Sequence, residues 1–264
     1  MTESPSPTHP RADHVPPGWA VHAVGLSVRG PRGPVFENVS LDVAAGGTLV
    51  VVGPAGSGRT ALLLALAGRM RLATGGAAVG PHRLPAEAAA VREGVALASG
   101  GQALELDEYL TVGDHLDEWR MSARGDVSAL DAALDLLAPA GMPLHMRSDE
   151  ITPLERLALQ LALAVADLPS VIVVDDLDAS APRGLHDELW QLVRRVRGLG
   201  ITVLASASEA PSWTARADLS VLALPKLAAV EPAGRDPDRD SGLGRAPRDP
   251  RDRQTEDEIG TEEL

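Results

Sequence analysis

The sequence predicts an α/β domain with a mixed or parallel core sheet, an antiparallel β subdomain ahead of it and a helical insertion within it. Three observations carry this expectation. Residues 51–60, VVGPAGSGRT, join an apolar run to a helix-forming run through a glycine-rich turn. The stretches GTLVVVG, SVIVVDD and ITVLASAS are continuous apolar runs, as expected of parallel strands covered on both faces. Earlier, VHAVGLSVR and VFENVSLDVA alternate apolar and polar residues, the pattern of half-buried antiparallel strands.

Taken in order, residues 1–18 are rich in Pro and Ser and are expected to be disordered. The two alternating strands follow. TALLLALAGRM, directly after the glycine-rich turn, is apolar all round and predicts a buried helix. Residues 106–168 look helical throughout, with Thr111 and Ser128 as candidate caps. GLHDELWQLVRRVRGLG sets Leu185, Leu189, Leu192, Val193 and Val196 on one helical face before Gly198 and Gly200 end it. The tail, residues 231–264, mixes charge, Pro and Gly without periodicity and is expected to be a disordered extension. The domain between is placed at residues 19–230.

Composition narrows the function. The chain of 264 residues carries a formal net charge of −13 and shows no basic stripe to neutralise phosphates, which argues against nucleic acid as a partner. With 44% hydrophobic residues but only 2% aromatic, the core must be built from Ala, Val and Leu. The absence of cysteine excludes disulfides, thiolate metal sites and Cys nucleophiles. No run approaches the roughly 20 apolar residues that span a bilayer. A cytoplasmic location is the expectation.

Two stretches carry chemistry. The pattern G-x-x-x-x-G-K-[ST] is met at Gly53, Gly58 and Thr60, but the lysine position holds Arg59. Strand, glycine-rich loop and helix in this order let backbone N–H groups converge on phosphate oxygens, and the helix start adds partial positive charge. Gly53, Pro54, Ala55, Gly56, Ser57, Gly58, Arg59 and Thr60 are therefore the candidate nucleotide-binding residues. Thr60 would place a hydroxyl on Mg²⁺. In VIVVDDLD, a strand ending in Asp175 puts a carboxylate at the C-terminal edge of the sheet, where it can serve the same ion. Lys226 is the only lysine, so a general preference for arginine would also account for Arg59.

With GLSVRG…PVFENVSLDVAAGGTLVVVGPAGSGRT, YLTVGDHL and LERLALQLALAVADLPSVIVVDDLD in view, the chain resembles the nucleotide-binding subunit of an ABC (ATP-binding cassette) transporter. The resemblance covers about residues 20–230 and implies a P-loop NTPase of ABC type, ATP and Mg²⁺ as cofactors, and a helical subdomain at 106–168. It also implies a transmembrane permease subunit as partner, a homo- or heterodimer with another cassette subunit, and a site on the inner face of the membrane when complexed. The family's glutamine of the Q-loop falls on Gln102.

Departures from the family pattern are concentrated where catalysis is implied. In register with Asp175, the signature LSGGQ falls on residues 151–155, ITPLE. There Thr152 and Glu155 read as a capping box with Pro153 at the first helical position, a helix start closed to anions. Asp176 holds the position of the catalytic glutamate, one methylene short, and Ser208 holds that of the switch histidine. The D-loop SALD reads ASAP at residues 179–182, and the adenine-stacking aromatic falls near Gly30. Arginine preference explains none of these.

Three readings follow: an ATP-binding transporter subunit with weak or lost hydrolysis, an active transporter ATPase, and a nucleotide-independent scaffold or regulator. Because both the phosphate-loop side and the signature side are altered, any dimer containing this chain would lack an intact composite site. The first reading is favoured on that ground.

Overall fold

The computed structural model describes residues 16–99, 106–122, 127–179, 181–211 and 219–227. The expected disordered ends fall outside these residues, apart from 16–18. Gly18 already belongs to the fold, its N–H donating to the Gly200 carbonyl at 3.0 Å.

Two sheets carry the fold. The first is antiparallel and contains β1 (Val21–Gly30), β2 (Gly33–Val43), β4 (Thr74–Val79) and β5 (His82–Leu84), in the order β2-β1-β4-β5. The two alternating segments are β1 and β2, paired with Val21 opposite Val43. The second sheet contains β3 (Thr48–Val52), β6 (Val95–Ser99), β7 (Val171–Val174), β8 (Thr202–Ala207) and β9 (Leu219–Ala223). Its order is β6-β7-β8-β3-β9, and every pairing is parallel. The three continuous apolar runs are β3, β7 and β8, at its centre.

Strand periodicity decides how the two cores divide. Leu49 and Val51 of β3 join one buried cluster with the antiparallel sheet and α1 (Arg59–Leu66), while Val50 between them faces a second, helical cluster. Leu62, Leu63 and Leu66 of α1 have no exposed surface, each burial worth about 1.5–3 kcal/mol. The second cluster is filled by α3 (Val112–Met121), α4 (Val127–Leu137), α5 (Pro153–Ala166) and α6 (His186–Gly198). A short helix, α2 (Ala88–Gly94), leads into β6.

Three local expectations need correction. Residues 106–168 are not helical throughout: 138–152 form turns between α4 and α5. Pro139 and Pro143 lack the N–H a helix needs and end it there. Ser128 does not cap α4 but lies in its first turn, since the helix begins at Val127. On α6, Leu185 sits in a 3-10 turn ahead of the helix and is only half-buried, while Trp190 takes its place among the fully buried side chains.

Candidate functional site

The C-terminal ends of β3, β7, β8 and β9 meet on one edge of the parallel sheet, the edge at which ligands of such sheets bind. From β3 the chain passes through residues 53–58 into α1. Gly56 and Gly58 have φ of 78° and 93°, with Ser57 between them outside the left-handed region. That alternation curves the backbone into a nest of the kind that suits an anion, with the Ser57 N–H closing the turn onto the Pro54 carbonyl at 3.1 Å. Gly58 is also the N-cap of α1 and supplies no side-chain bond, and no acidic residue lies in the first turn. The helix start is open, with its partial positive charge uncompensated.

Gly53 is held for a different reason. A Cβ there would overlap the carbonyl of Leu224 and lie 2.7 Å from Ser57 Oγ. Ser57 is 1% exposed, and its hydroxyl has no hydrogen-bond partner among the described residues. Thr60 lies half-buried in the first turn of α1.

Arg59 is engaged at the ends of β7 and β8. Its Nη1 donates to the carbonyl of Ala207 at 2.6 Å and its Nη2 to Asp176 Oδ1 at 2.8 Å. The guanidinium therefore ties the loop to the ends of β7 and β8. The Arg59 side chain is 13% exposed and that of Asp176 47%.

The acidic side of the site is ordered by two serines of β8 and its end. Ser206 donates from Oγ to Asp175 Oδ1 at 2.5 Å and accepts the N–H of Asp176 at 2.8 Å. Asp175 is 7% exposed. Asp176 has φ of 48°, a left-handed conformation that Asp tolerates better than most residues. Burial raises its carboxyl pKa, helped by the neighbouring Asp175 and Asp178 carboxylates. Arg59 pulls the other way but does not prevail. Ser208 is exposed but engaged by Asp178, which accepts its N–H at 2.9 and 3.0 Å and its hydroxyl at 2.5 Å.

At the start of α5, Thr152 Oγ1 accepts the N–H of Glu155 at 3.2 Å, and Glu155 Oε2 accepts the N–H and the hydroxyl of Thr152, each at 2.8 Å. Pro153 occupies the first turn. This helix start is capped by its own side chains, in contrast to that of α1.

The structure thus brings Arg59, Asp176 and the end of β8 together at the loop. Gln102 lies outside the described residues, as does Ser180 of the ASAP segment. Gly30 ends β1 at the turn to β2 and carries no ring. Ser206 and Asp178 were not singled out in the sequence; S-x-S at the end of β8 and D-D-x-D after β7 become a signal only once the two strands are known to be neighbours. A cleft of about 650 Å³ flanks the loop between the ends of β8 and β9, lined by Gly53, Pro54, Ser208, Glu209, Leu224 and Pro225 among others. It lies beside the nest and touches neither Thr60 nor Asp175.

Comparison with known proteins agrees with this architecture. The family model described as ABC transporter matches residues 36–179, more than half of the chain. A hemin import ATP-binding protein of Bradyrhizobium diazoefficiens is 30% identical over 234 residues, 80% of this chain and 82% of that protein. An Fe(3+) ions import ATP-binding protein of Mesorhizobium japonicum is 28% identical, over 72% of this chain but only 54% of its own length. Among solved structures, an ATP-binding cassette of an ABC transporter in its ADP conformation superposes with a TM-score of 0.61 at 19% identity, covering 77% of this chain and 87% of that one. The chain belongs to the ABC transporter family, as a nucleotide-binding cassette.

Proposed function

We propose that this chain is the ATP-binding subunit of an ABC-type transporter in which hydrolysis is weak or lost. The observation that carries the reading is the Arg59–Asp176 ion pair at 2.8 Å. It commits the loop's side-chain cation and the carboxylate at the base position to each other rather than to a phosphate and a water.

Binding rests on what remains open. The glycine-shaped loop backbone around Gly56 and Gly58 and the uncapped start of α1 suit the β- and γ-phosphates. Thr60 and Asp175 offer the hydroxyl and carboxylate oxygens that Mg²⁺ prefers, and these fit the ion as a donor set. When bound, Mg²⁺ would neutralise charge on the phosphates. Gln102 is proposed as a further contact to the nucleotide.

Hydrolysis needs three things that this chain does not offer. Asp176 is one methylene short of a glutamate and engaged by Arg59. Ser208 is bonded to Asp178 and supplies no positive charge. Across a dimer, the start of α5 would present Glu155 and a proline to the γ-phosphate instead of free N–H donors. General-base catalysis tolerates little displacement of its groups, so these losses compound.

The relatives are ATP-binding subunits of import and export systems by name. On that likeness the partners proposed are a transmembrane permease and a second cassette subunit, alike or different. No described helix is long and apolar enough to cross a membrane, which suits attachment to the inner face through the permease. The cassette is placed at residues 19–230, with the terminal segments as extensions. Titration calorimetry with Mg-ATP, followed by phosphate-release measurement, tests the reading. Heat of binding without turnover is expected. Turnover in the ordinary enzyme range of roughly 1–1000 per second would return the active-ATPase reading.

A further inference from the structure

Arg59 leaves the phosphate loop without its customary side-chain cation, and the charge around it is unfavourable. Asp175, Asp176 and Asp178 lie close enough for the two others to act on Asp176, against the single guanidinium of Arg59. A polyphosphate entering the nest would meet three carboxylates and a cation already paired with one of them.

The chain's only lysine, Lys226, follows β9. The backbone of β9 continues its pairing with β3 one residue past the strand, the N–H of Leu224 donating to Val52 O at 2.8 Å. The Leu224 carbonyl then abuts Gly53, the first residue of the loop. Two residues later the Lys226 side chain extends over the loop, its Cε 3.8 Å from where a Cβ on Gly56 would stand. Gly56 is one of the two left-handed glycines that shape the nest. Lys226 is exposed, and among the described residues it has no ion-pair or hydrogen-bond partner.

The geometry points to Lys226 as a surrogate phosphate-binding cation, contributed by the segment after β9 in place of the lysine that the loop lacks. This inference rests on the ATP-binding reading above and names one residue for it. A lysine suits the task chemically. Its ammonium is a compact charge on a flexible stem and needs no fixed planar partner, unlike the guanidinium of Arg59. Lysine binds phosphate as a point charge, so an approach from a different strand serves as well as one from the helix. The anchoring of Leu224 against Val52 and Gly53 fixes where that stem begins, and leaves the ammonium free to settle on a phosphate oxygen. Arg59 is then released from phosphate binding and can act as the tie between loop, β7 and β8.

Because Lys226 is the only lysine, amine-reactive labelling of the full chain reads one side chain, separated by peptide mass spectrometry from the terminal amine. Mg-ATP is expected to slow acetylation of Lys226 in proportion to site occupancy. In parallel, Lys226→Ala is expected to raise the Kd for Mg-ATP about tenfold, or ~1.4 kcal/mol. The substitution is at an exposed position and should leave folding intact, which circular dichroism checks. An unchanged Kd in Lys226→Ala, or an unchanged labelling rate when the wild type binds Mg-ATP, overturns the assignment while leaving ATP binding standing. Failure of the wild type to bind Mg-ATP at all overturns both.

Discussion

At position 59 the planar arginine fork spreads its donors over two nitrogens, Nη1 to Ala207 O and Nη2 to Asp176, where a lysine would gather its three on one compact ammonium. The pair is partly exposed, so it is of ordinary strength, about 0.2–1 kcal/mol. Removing the carboxylate with Asp176→Asn should therefore tighten Mg-ATP binding by no more than about fivefold, read by calorimetry. Arg59→Lys alone should leave phosphate release at the level of the blank. The restored lysine mends a ground-state contact, while Asp176, Ser208 and the start of α5 are unchanged, and groups that act together are not recovered one at a time. Asp176 also gives a pH dependence. Its carboxyl is held above the ordinary value of 3.8 by burial, then by Asp175 and Asp178. The folded chain thus holds that proton more tightly than the unfolded chain does. Stability linked to it is present at low pH and falls as the pH rises through the raised value. Thermal melts of wild type and Asp176→Asn should show the variant gaining on the wild type as the pH climbs past 3.8.

Two helix starts divide the work of the elements. The start of α1 is uncapped and faces the nest, while that of α5 is closed by Thr152 and Glu155. Thr152→Ala should cost about 0.5–2 kcal/mol of stability, measured by denaturant unfolding, and should not restore turnover. The α5 box was legible in the sequence because T-P-x-E is a local pattern whose geometry follows from residues three apart. The central strands β3, β7 and β8 were legible for a similar reason, as unbroken apolar runs. By contrast β4, β5, β6 and β9 were not anticipated. TGGAAV is small-sided and HRL only three residues long, and each is held by its neighbour, β4 by β1 and β5 by β4, rather than by its own pattern. Trp190 went unread because a tryptophan beside a helical stripe reads equally well as its exposed border. The prolines that end α4 were in plain view, but the apolar density around them masked the break.

For the whole molecule, what matters is where distant residues meet. That residues 53–60 join a central strand to a buried helix follows from local order, and the match to the ABC transporter family over residues 36–179 rests on the same run of motifs. That Arg59 would turn toward Asp176, or that Asp178 would hold Ser208, depends on the register of β7 against β8. No pattern in sequence encodes that register. Several repairs made together should accordingly do what one cannot: Arg59→Lys, Asp176→Glu and Ser208→His with a Ser-Gly-Gly signature should raise phosphate release far above the single variant. The central claim is that the chain holds Mg-ATP without spending it, and phosphorus NMR of millimolar Mg-ATP mixed with the full chain observes both halves in one sample. The β- and γ-phosphate resonances of ATP are expected to shift or broaden as protein is added, while no inorganic phosphate signal grows beyond that of ATP alone. Growth of that signal at the ordinary enzyme rate of roughly 1–1000 per second, or ATP resonances untouched by the folded protein, would contradict it.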